Sequence, residues 1–259
     1  MDIRQLFDLK DRVAIVTGAS RGLGLQMAEA LGSLGAKLVI TARKADELEQ
    51  AALHLRKQGC TVLAVPGNLS DPEAVKALVD TVLAQHEAID ILVNNAGASW
   101  GAPAEDYPDA AWRKVMGLNI DAPFFLAREV GARSMIPRRY GKIINIASIA
   151  GLGGNPPEIQ TLGYNTSKGA LVNFTRALAA EWGRYHINVN AICPGFFRSK
   201  MSNGLLDSME SQVIASTPLQ RIGDDHDLQG AVVFLASEAS RHVTGQCLVV
   251  DGGMSAVVG

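Results

Sequence analysis

Short apolar runs alternate along the chain with longer segments in which hydrophobic residues recur every three or four positions. The runs are almost wholly apolar, which is typical of parallel strands covered on both faces. They lie at 13–16, 38–40, 62–65, 91–93, 143–146, 189–192 and 248–250. The segments between them place apolar residues on one helical face, as Leu48, Ala52 and Leu55 do. The pattern predicts an α/β fold: a doubly wound, Rossmann-type sheet of seven parallel strands with helices on both faces.

Three segments interrupt this alternation, and each follows the carboxyl end of a predicted strand. Segment 150–163 is rich in glycine and proline, which is typical of a loop, and segments 98–108 and 195–218 are irregular or only partly helical. Two long helical regions, 109–136 and 164–185, lie beside them in the sequence. Because open α/β sheets bind ligands at the carboxyl ends of their strands, we expect the functional site there.

The composition limits the class of protein. Of the 259 residues, 47% are hydrophobic and 19% are charged, and no linker or repeat divides them, so we predict one globular domain over residues 1–259. The net charge of −2 gives no field that favours nucleic acid or a membrane surface. The sequence contains no long apolar span, and its start lacks the features of a signal peptide. With three scattered cysteines and five histidines without metal-ligand spacing, we expect a cytoplasmic protein that needs no metal.

A glycine-rich turn follows the first predicted strand and opens a helical pattern. Its glycines, Gly18, Gly22 and Gly24, have the spacing Gly-x-x-x-Gly-x-Gly. Glycine allows a tight turn and a close approach of a ligand to the backbone, and a helix N-terminus attracts an anion. Strand, turn and helix in this order indicate a site for the pyrophosphate of a dinucleotide, although a purely structural turn is the alternative.

Tyr164 and Lys168 are four residues apart at the start of a predicted helix, so they lie on one face, one turn apart. A free phenol titrates near pH 10, and a neighbouring ammonium lowers that pKa. The pair is a candidate for proton exchange with an alcohol or carbonyl oxygen, the alternative being a solvated helix surface. Ser148 follows the fifth strand, where a hydroxyl would hold a substrate oxygen, and Asn119 is a polar residue within 109–136.

Together these motifs resemble the short-chain dehydrogenase/reductase family in its compact branch. The resemblance rests on residues 17–24, Asn94-Asn95-Ala96-Gly97, Asn119, Ser148, Tyr164, Lys168 and Pro194-Gly195. It implies hydride transfer between a nicotinamide and a carbonyl or alcohol carbon. It also implies that Tyr164 is the general acid/base, that Lys168 lowers its pKa and holds the nicotinamide ribose, and that Ser148 orients the substrate oxygen. Asn119 would tie Lys168 to water in a proton relay.

The resemblance further implies a set of cofactor-binding residues. They are Gly18, Ser20, Arg21, Gly22, Leu23, Gly24, Arg43, Asn68, Leu69, Asn95, Ala96, Gly97, Tyr164, Lys168, Pro194, Gly195, Phe197 and Ser199. The second strand ends without the acidic residue that usually binds the adenosine ribose of NAD, and Arg43 and Arg21 are suited to a 2′-phosphate. We therefore predict NADP(H) as the cofactor.

Three features depart from the family pattern. Asn68 stands where an aspartate usually faces the adenine, and Ser199 replaces a threonine that contacts the carboxamide. The 16-residue gap from Ser148 to Tyr164 is longer than the resemblance leads us to expect. Because this loop borders the substrate, the insertion bears on specificity rather than on mechanism.

The leading interpretation is an NADP(H)-dependent enzyme for a small-molecule ketone or secondary alcohol, similar to sugar and polyol members of the family. A 3-oxoacyl carrier-protein reductase is the alternative, because an acidic carrier needs a basic docking patch. Four arginines are candidates for that patch: Arg128, Arg133, Arg138 and Arg139. A non-catalytic NADP(H) sensor is the remote alternative, and the family leads us to expect a homotetramer.

Apolar side chains among the irregular segments bear on the choice of substrate. The candidates for the substrate pocket are Trp100, Phe196, Phe197 and Met201. Their apolar character argues against a highly hydroxylated sugar acid.

Overall fold

Seven parallel strands form one sheet in the computed structural model, which describes residues 2–200 and 202–257. The strands are β1 (Val13–Thr17), β2 (Lys37–Thr41), β3 (Val62–Ala64), β4 (Ile91–Asn94), β5 (Gly141–Ile146), β6 (Ile187–Pro194) and β7 (Cys247–Val250). Their order across the sheet is β3-β2-β1-β4-β5-β6-β7, and every neighbouring pair is parallel. The predicted fold class is confirmed, and each apolar run marks a strand.

Helices cover the sheet on both sides. They are α1 (Gly22–Ser33), α2 (Ala45–Lys57), α3 (Pro72–Gln85), α4 (Asp109–Met116), α5 (Ala122–Val130), α6 (Ile136–Arg138), α7 (Leu162–Trp182), α8 (Asn203–Ser216) and α9 (Gln229–Ala236). Helix α8 lies inside a segment expected to be irregular or only partly helical. The long region after β4 is not one regular helix, because two π-helical turns, Gly117–Asp121 and Gly131–Met135, interrupt it.

The first strand shows how the two layers are filled. Ala14 and Val16 face a core with α1, α2 and α9, whereas Val13 and Ile15 face a second core with α3, α5 and α7. Successive side chains of a strand point to opposite faces, so an apolar run with no polar alternation is buried on both sides. This is the physical reason that such short runs predict strands in this chain.

The strand order reverses beside β1, where the chain crosses from the β1–β2–β3 half to the β4–β7 half. In open α/β sheets the loops at the carboxyl ends of the strands diverge at this point and leave a crevice. The glycine turn and the segments after β4, β5 and β6 all begin at this edge. No helix of the described residues is both long and apolar enough to cross a membrane.

Candidate active site

The glycine turn after β1 is packed so tightly that side chains are excluded from it. Gly18 and Gly22 have φ values of +66° and +54°, a region that residues with a side chain rarely adopt. A Cβ on Gly18 would lie 2.9 Å from the Cα of Ala96, and one on Gly24 would collide with the Asn95 amide and the Gly18 carbonyl. Gly18 and Gly24 therefore allow the turn to lie directly against the end of β4, whereas Gly22 is required by its positive φ.

A threonine hydroxyl, which the sequence analysis did not single out, fastens this turn to β4. Thr17 Oγ1 accepts hydrogen bonds from the backbone N–H groups of Asn95 and Ala96, both at 2.9 Å, and donates to the Val93 carbonyl. The Asn95 side chain donates to the Thr17 carbonyl at 2.8 Å and to the Gly18 carbonyl at 3.3 Å. The Asn95 side chain thus holds the backbone of the turn against the end of β4. A hydroxyl residue directly before the first glycine is the sequence signal for this contact.

Helix α1 begins at Gly22, and no side chain caps its N-terminus. Its first turn contains no acidic residue, so its free N–H groups and dipole favour an anion. Ser20 is half-buried within the turn, and Leu23 packs partly against the core beneath it. A tight glycine cradle that leads into an uncapped helix fits the pyrophosphate of a dinucleotide.

Cationic side chains gather where β2 ends beside this turn. Arg21 and Lys44 both form ion pairs with Glu47, Lys44 at 2.8 Å. The Lys44 hydrogen bond is the main cause that holds the pKa of Glu47 below its usual value, and the charges of Arg21 and Lys200 act in the same direction. Arg43 is exposed and has no ion pair or hydrogen bond within the described part of the chain. The sequence analysis named Arg21 and Arg43 but missed Lys44, Glu47 and Lys200.

The turn after β3 supplies the two residues predicted to contact the adenine. Asn68 is exposed, and its side-chain oxygen accepts a weak hydrogen bond of 3.4 Å from Ser70 N. Leu69 is buried in the core with Val39 and Val75, so its side chain is not available to a ligand. Only the backbone of Leu69 can serve the predicted contact, because its side chain anchors the turn.

Ser148 and Tyr164 meet at the ends of β5 and the first turn of α7. The Ser148 hydroxyl lies close enough to the phenol to lower the pKa of Tyr164. Burial has the larger and opposite effect, so the pKa of the phenol lies above its ordinary value. Ser148 Oγ also accepts from Ala150 N at 3.1 Å, which fixes the hydroxyl at the start of the loop.

Lys168 is buried below Tyr164, as their helical spacing predicts. Its Nζ lies 5.6 Å from the centre of the Tyr164 ring and donates to the Ile146 carbonyl at 2.6 Å. Burial lowers the pKa of Lys168 to about 8. The pKa of Tyr164 lies above its ordinary value because desolvation of the phenolate outweighs the effect of Ser148, and the Lys168 ammonium donates to the Ile146 carbonyl. The phenol is therefore set to act as an acid at neutral pH. That the lysine charge lowers the Tyr164 pKa stays a prediction.

Asn119 lies in the π-helical turn Gly117–Asp121, a kind of irregularity that often occurs at functional sites. Its Oδ1 accepts from Ala98 N at 2.7 Å, and its Nδ2 donates to the Ala98 carbonyl and to Ser167 Oγ, both at 2.9 Å. A Cβ on Gly97 would lie 3.4 Å from Asn119 Oδ1 and 3.7 Å from Lys168 Nζ. Asn119 thus lies beside Lys168, and its side chain joins the loop after β4 to Ser167 on α7.

The loop after β6 crosses back over the glycine turn. Pro194 ends β6, and Gly195 is so close to Asp251 that a Cβ on it would lie 2.8 Å from the Asp251 Cα. Ser199 lies above Gly22, with its Cβ 3.9 Å from the position of a Cβ there, and its hydroxyl is 3.0 Å from Ser202 Oγ. Pro194, Gly195 and Ser199 therefore lie at the same edge of the sheet as the glycine turn, where the cofactor contacts are predicted.

The aromatic residues of this loop differ from the expectation. Phe197 is buried against Gly223 in the core, so its ring is not an exposed wall of the substrate cleft. Phe196 is half-buried, and Trp100 is exposed in the loop after β4. Met201 lies outside the described residues. A backbone bridge joins Phe197 to Gly223, and the ring packs where a side chain on Gly223 would lie.

With this geometry established, the chain can be compared with known proteins. A family model described as enoyl-(acyl carrier protein) reductase matches residues 18–255. Gluconate 5-dehydrogenase of Gluconobacter oxydans (strain 621H) is 38% identical over 252 residues, 96% of this chain and 97% of the relative. Galactitol 2-dehydrogenase (L-tagatose-forming) of Cereibacter sphaeroides is 38% identical over 259 residues, with 98% of each chain covered.

Solved structures agree with this match. A gluconate 5-dehydrogenase from Burkholderia cenocepacia J2315, in complex with NADP and tartrate, superposes with a TM-score of 0.93. The two sequences are 37% identical, and the match covers 98% of this chain and 99% of the other. The chain belongs to the short-chain dehydrogenase/reductase family, whose enzymes act on alcohol and carbonyl groups. The family resemblance stated from the motifs is confirmed.

Proposed function

We propose that this protein is an NADP(H)-dependent oxidoreductase that interconverts a ketone and a secondary alcohol. The observation that carries the proposal is the meeting of Ser148, Tyr164 and Lys168 beside a glycine cradle suited to a dinucleotide. Relatives described as dehydrogenases and reductases of alcohols and ketones support the reaction class.

In the reducing direction the chain has to bind a carbonyl oxygen and protonate it. NADPH, when bound, supplies a hydride from its nicotinamide to the carbonyl carbon. Ser148 donates a hydrogen bond that orients the oxygen, and Tyr164 delivers its phenolic proton as negative charge develops there. The raised pKa of Tyr164 keeps the phenol protonated at neutral pH, which suits reduction. In the oxidising direction Tyr164 must instead accept the proton, so alkaline pH favours that direction.

Lys168 and Asn119 support this pair. Because its pKa is about 8, Lys168 remains mostly protonated at pH 7 and stabilises charge that develops on the phenol. Asn119 acts mainly by holding the loop next to Lys168 with its three hydrogen bonds. The proton relay from Lys168 to water beside Asn119, which the family resemblance implies, is part of this proposal.

The choice of NADP(H) rests on charge at the tip of β2. Arg43 is unpaired among the described residues, and Arg21 and Lys44 share one carboxylate, Glu47. A 2′-phosphate at this position could bind the unpaired guanidinium of Arg43. It would also lie near Arg21 and Lys44, the two cations that pair with Glu47. Related structures with 30–37% identity that contain NADP or NADPH support this choice.

Two other functions fit the site less well. Reduction of an acyl carrier-protein substrate needs a free basic patch, but each of the four candidate arginines is already engaged. Arg133 pairs with Asp80 at 2.5 Å, Arg138 with Asp90 at 2.7 Å and Arg128 with Glu129 at 3.3 Å, while Arg139 donates to a backbone carbonyl. A cofactor sensor has no need of a serine hydroxyl beside a tyrosine phenol.

We also propose a cytoplasmic homotetramer, as the family resemblance leads us to expect. Apolar side chains remain exposed on two elements of the monomer, Phe124 on α5 and Leu248 and Val249 on the edge strand β7. Contacts between copies would cover both. Light scattering of the purified protein tests the assembly, and a monomeric mass would contradict it.

The function is tested by following NADPH absorbance with a panel of ketones and, in reverse, alcohols with NADP+. We expect turnover, with kcat/KM at least tenfold higher for NADPH than for NADH. Preference for NADH would contradict the cofactor assignment, whereas binding of NADPH without turnover of any carbonyl compound would favour the sensor.

A further inference from the structure

We propose that the substrate is an uncharged ketone with an apolar or aromatic group next to the carbonyl-bearing part, and not a sugar acid. This inference rests on the proposed function and deepens it by naming the substrate class. It is carried by the shape and charge of the two loops that flank Ser148 and Tyr164.

Three large apolar side chains are exposed in these loops. Trp100, Leu152 and Leu162 are 44%, 43% and 46% exposed, and we refer to them as the apolar rim. Leu152 is four residues after Ser148, and Leu162 is two residues before Tyr164. Trp100 is three residues after Gly97, which lies against Lys168. Each member of the rim is thus only a short stretch of chain from the reacting groups.

The two loops are held together, so the rim is part of a formed structure. Ala102 N donates to the Gln160 carbonyl at 2.9 Å, which joins the loop after β4 to the loop before α7. Gly163 packs so closely on the Tyr107 hydroxyl that a Cβ there would lie 2.5 Å from it. Tyr107 in turn donates to the Trp100 carbonyl at 3.4 Å. These contacts join the loop that carries Trp100 to the start of the helix that carries Leu162.

The longer loop is also fixed internally. Asn155, Thr161 and Asn165 form a closed hydrogen-bonded triangle, with distances of 2.9–3.1 Å. Asn165 belongs to α7 and follows Tyr164 directly, so the loop is tied to the helix that carries the acid/base. The part of this loop from Asn155 to Thr161 is therefore held in a defined position on α7.

The charged residues of the same loops disfavour an anionic substrate. Segments 98–108 and 150–163 contain no lysine, arginine or histidine, but they contain Glu105, Asp106 and Glu158. In the third loop, Arg198 is paired with both Asp207 and Glu210. The two flanking loops therefore supply no cation to pair with a carboxylate substrate, and Lys200, the other cation of the third loop, acts on Glu47 on the cofactor side. The rim would desolvate such a carboxylate with no compensation from the flanking loops. An uncharged substrate that buries an apolar group gains from the same surface.

Two matched pairs of ketones test charge and apolar character separately. Methyl levulinate and levulinate share one skeleton and differ in charge, and 4-phenyl-2-butanone and 2-butanone differ in an aromatic group. With NADPH we expect kcat/KM to be at least tenfold higher for the ester than for the acid, and at least tenfold higher for the phenyl ketone than for 2-butanone. Equal values or a reversed order in either pair would overturn the inference.

Variants locate the effect. We expect Leu152→Ala and Leu162→Ala each to lower kcat/KM for 4-phenyl-2-butanone by about fivefold, as loss of buried apolar area predicts, while kcat/KM for 2-butanone stays within twofold. Leu53→Ala is the matched control, because Leu53 is 42% exposed on α2. An effect of Leu53→Ala as large as that of the rim variants would contradict a local role of the rim.

Failure of this inference is distinguishable from failure of the proposed function. Reduction of 5-keto-D-gluconate or levulinate in preference to the uncharged ketones overturns the substrate class and leaves the ketoreductase intact. Absence of turnover with every one of these compounds, although NADPH binds, overturns both.

Discussion

The cofactor side and the substrate side of the cleft are built in different ways. The cofactor side consists of strand ends and a glycine turn whose backbone atoms contact one another, with Thr17 and Asn95 as internal braces. The substrate side consists of long loops that carry exposed apolar residues and are joined by a few hydrogen bonds. The first region leaves little freedom to vary without loss of the fold, whereas the second can change its side chains and so its substrate.

The largest effect is expected at the residue where the two sides meet. Tyr164→Phe removes the phenolic proton but keeps the ring, so we expect kcat for ketone reduction to fall by about 10³-fold, within the usual range for a general acid. The Kd for NADPH, measured by fluorescence titration, should stay within threefold. A loss of kcat below tenfold would remove Tyr164 from the acid role.

The glycine turn should tolerate no added methyl group. In Gly24→Ala the new Cβ meets the Asn95 amide and the Gly18 carbonyl, so we expect NADPH affinity to fall about 100-fold, equivalent to about 2.7 kcal/mol. Gly230→Ala is the control, because Gly230 is also helical and has no atom within 4 Å of an added Cβ. Wild-type NADPH affinity in a folded Gly24→Ala protein would show that the turn does not hold the cofactor.

Cofactor selectivity should depend on the exposed cation at the end of β2. Arg43→Asp replaces a guanidinium by a carboxylate, and we expect the ratio of kcat/KM for NADPH over NADH to fall by about 10- to 100-fold, the value of a charge-assisted contact. Arg113→Asp changes the same charge on α4 and should leave the ratio unaltered. An unchanged ratio in Arg43→Asp would assign the selectivity to Arg21 and Lys44 instead.

The smallest effect on activity, and a clear one on stability, is expected at Thr17. Thr17→Val leaves two backbone N–H groups without their acceptor, so we expect the free energy of unfolding in urea to fall by about 2–4 kcal/mol. Thr17→Ser retains the oxygen and should lose less than half of that amount. A Thr17→Val protein with the stability of the wild type would mean that these hydrogen bonds do not hold the turn.

The sequence predicts the strands and the pairing of Tyr164 with Lys168 because these depend on local periodicity. Apolar runs and a spacing of four residues can be recognised in the sequence alone. The bonds from Thr17 to the loop after β4 and from Asn119 to Ser167 were not predictable, because they join residues 48 or more positions apart. Burial decided the remaining differences. Phe197 and Leu69 are buried in the core, although both were predicted to contact a ligand. Burial also places the pKa of Tyr164 above its ordinary value, whereas the sequence led us to expect a lowered pKa.

The central claim is that NADPH delivers hydride to a ketone carbon while Tyr164 protonates its oxygen. The most direct measurement uses NADPH with deuterium at both C4 positions and an uncharged ketone, with mass spectrometry of the alcohol. We predict one deuterium on the carbinol carbon with the wild-type protein and almost no alcohol with Tyr164→Phe, although that variant binds NADPH. An unlabelled alcohol, or labelled alcohol formed equally fast by the variant, would contradict the account.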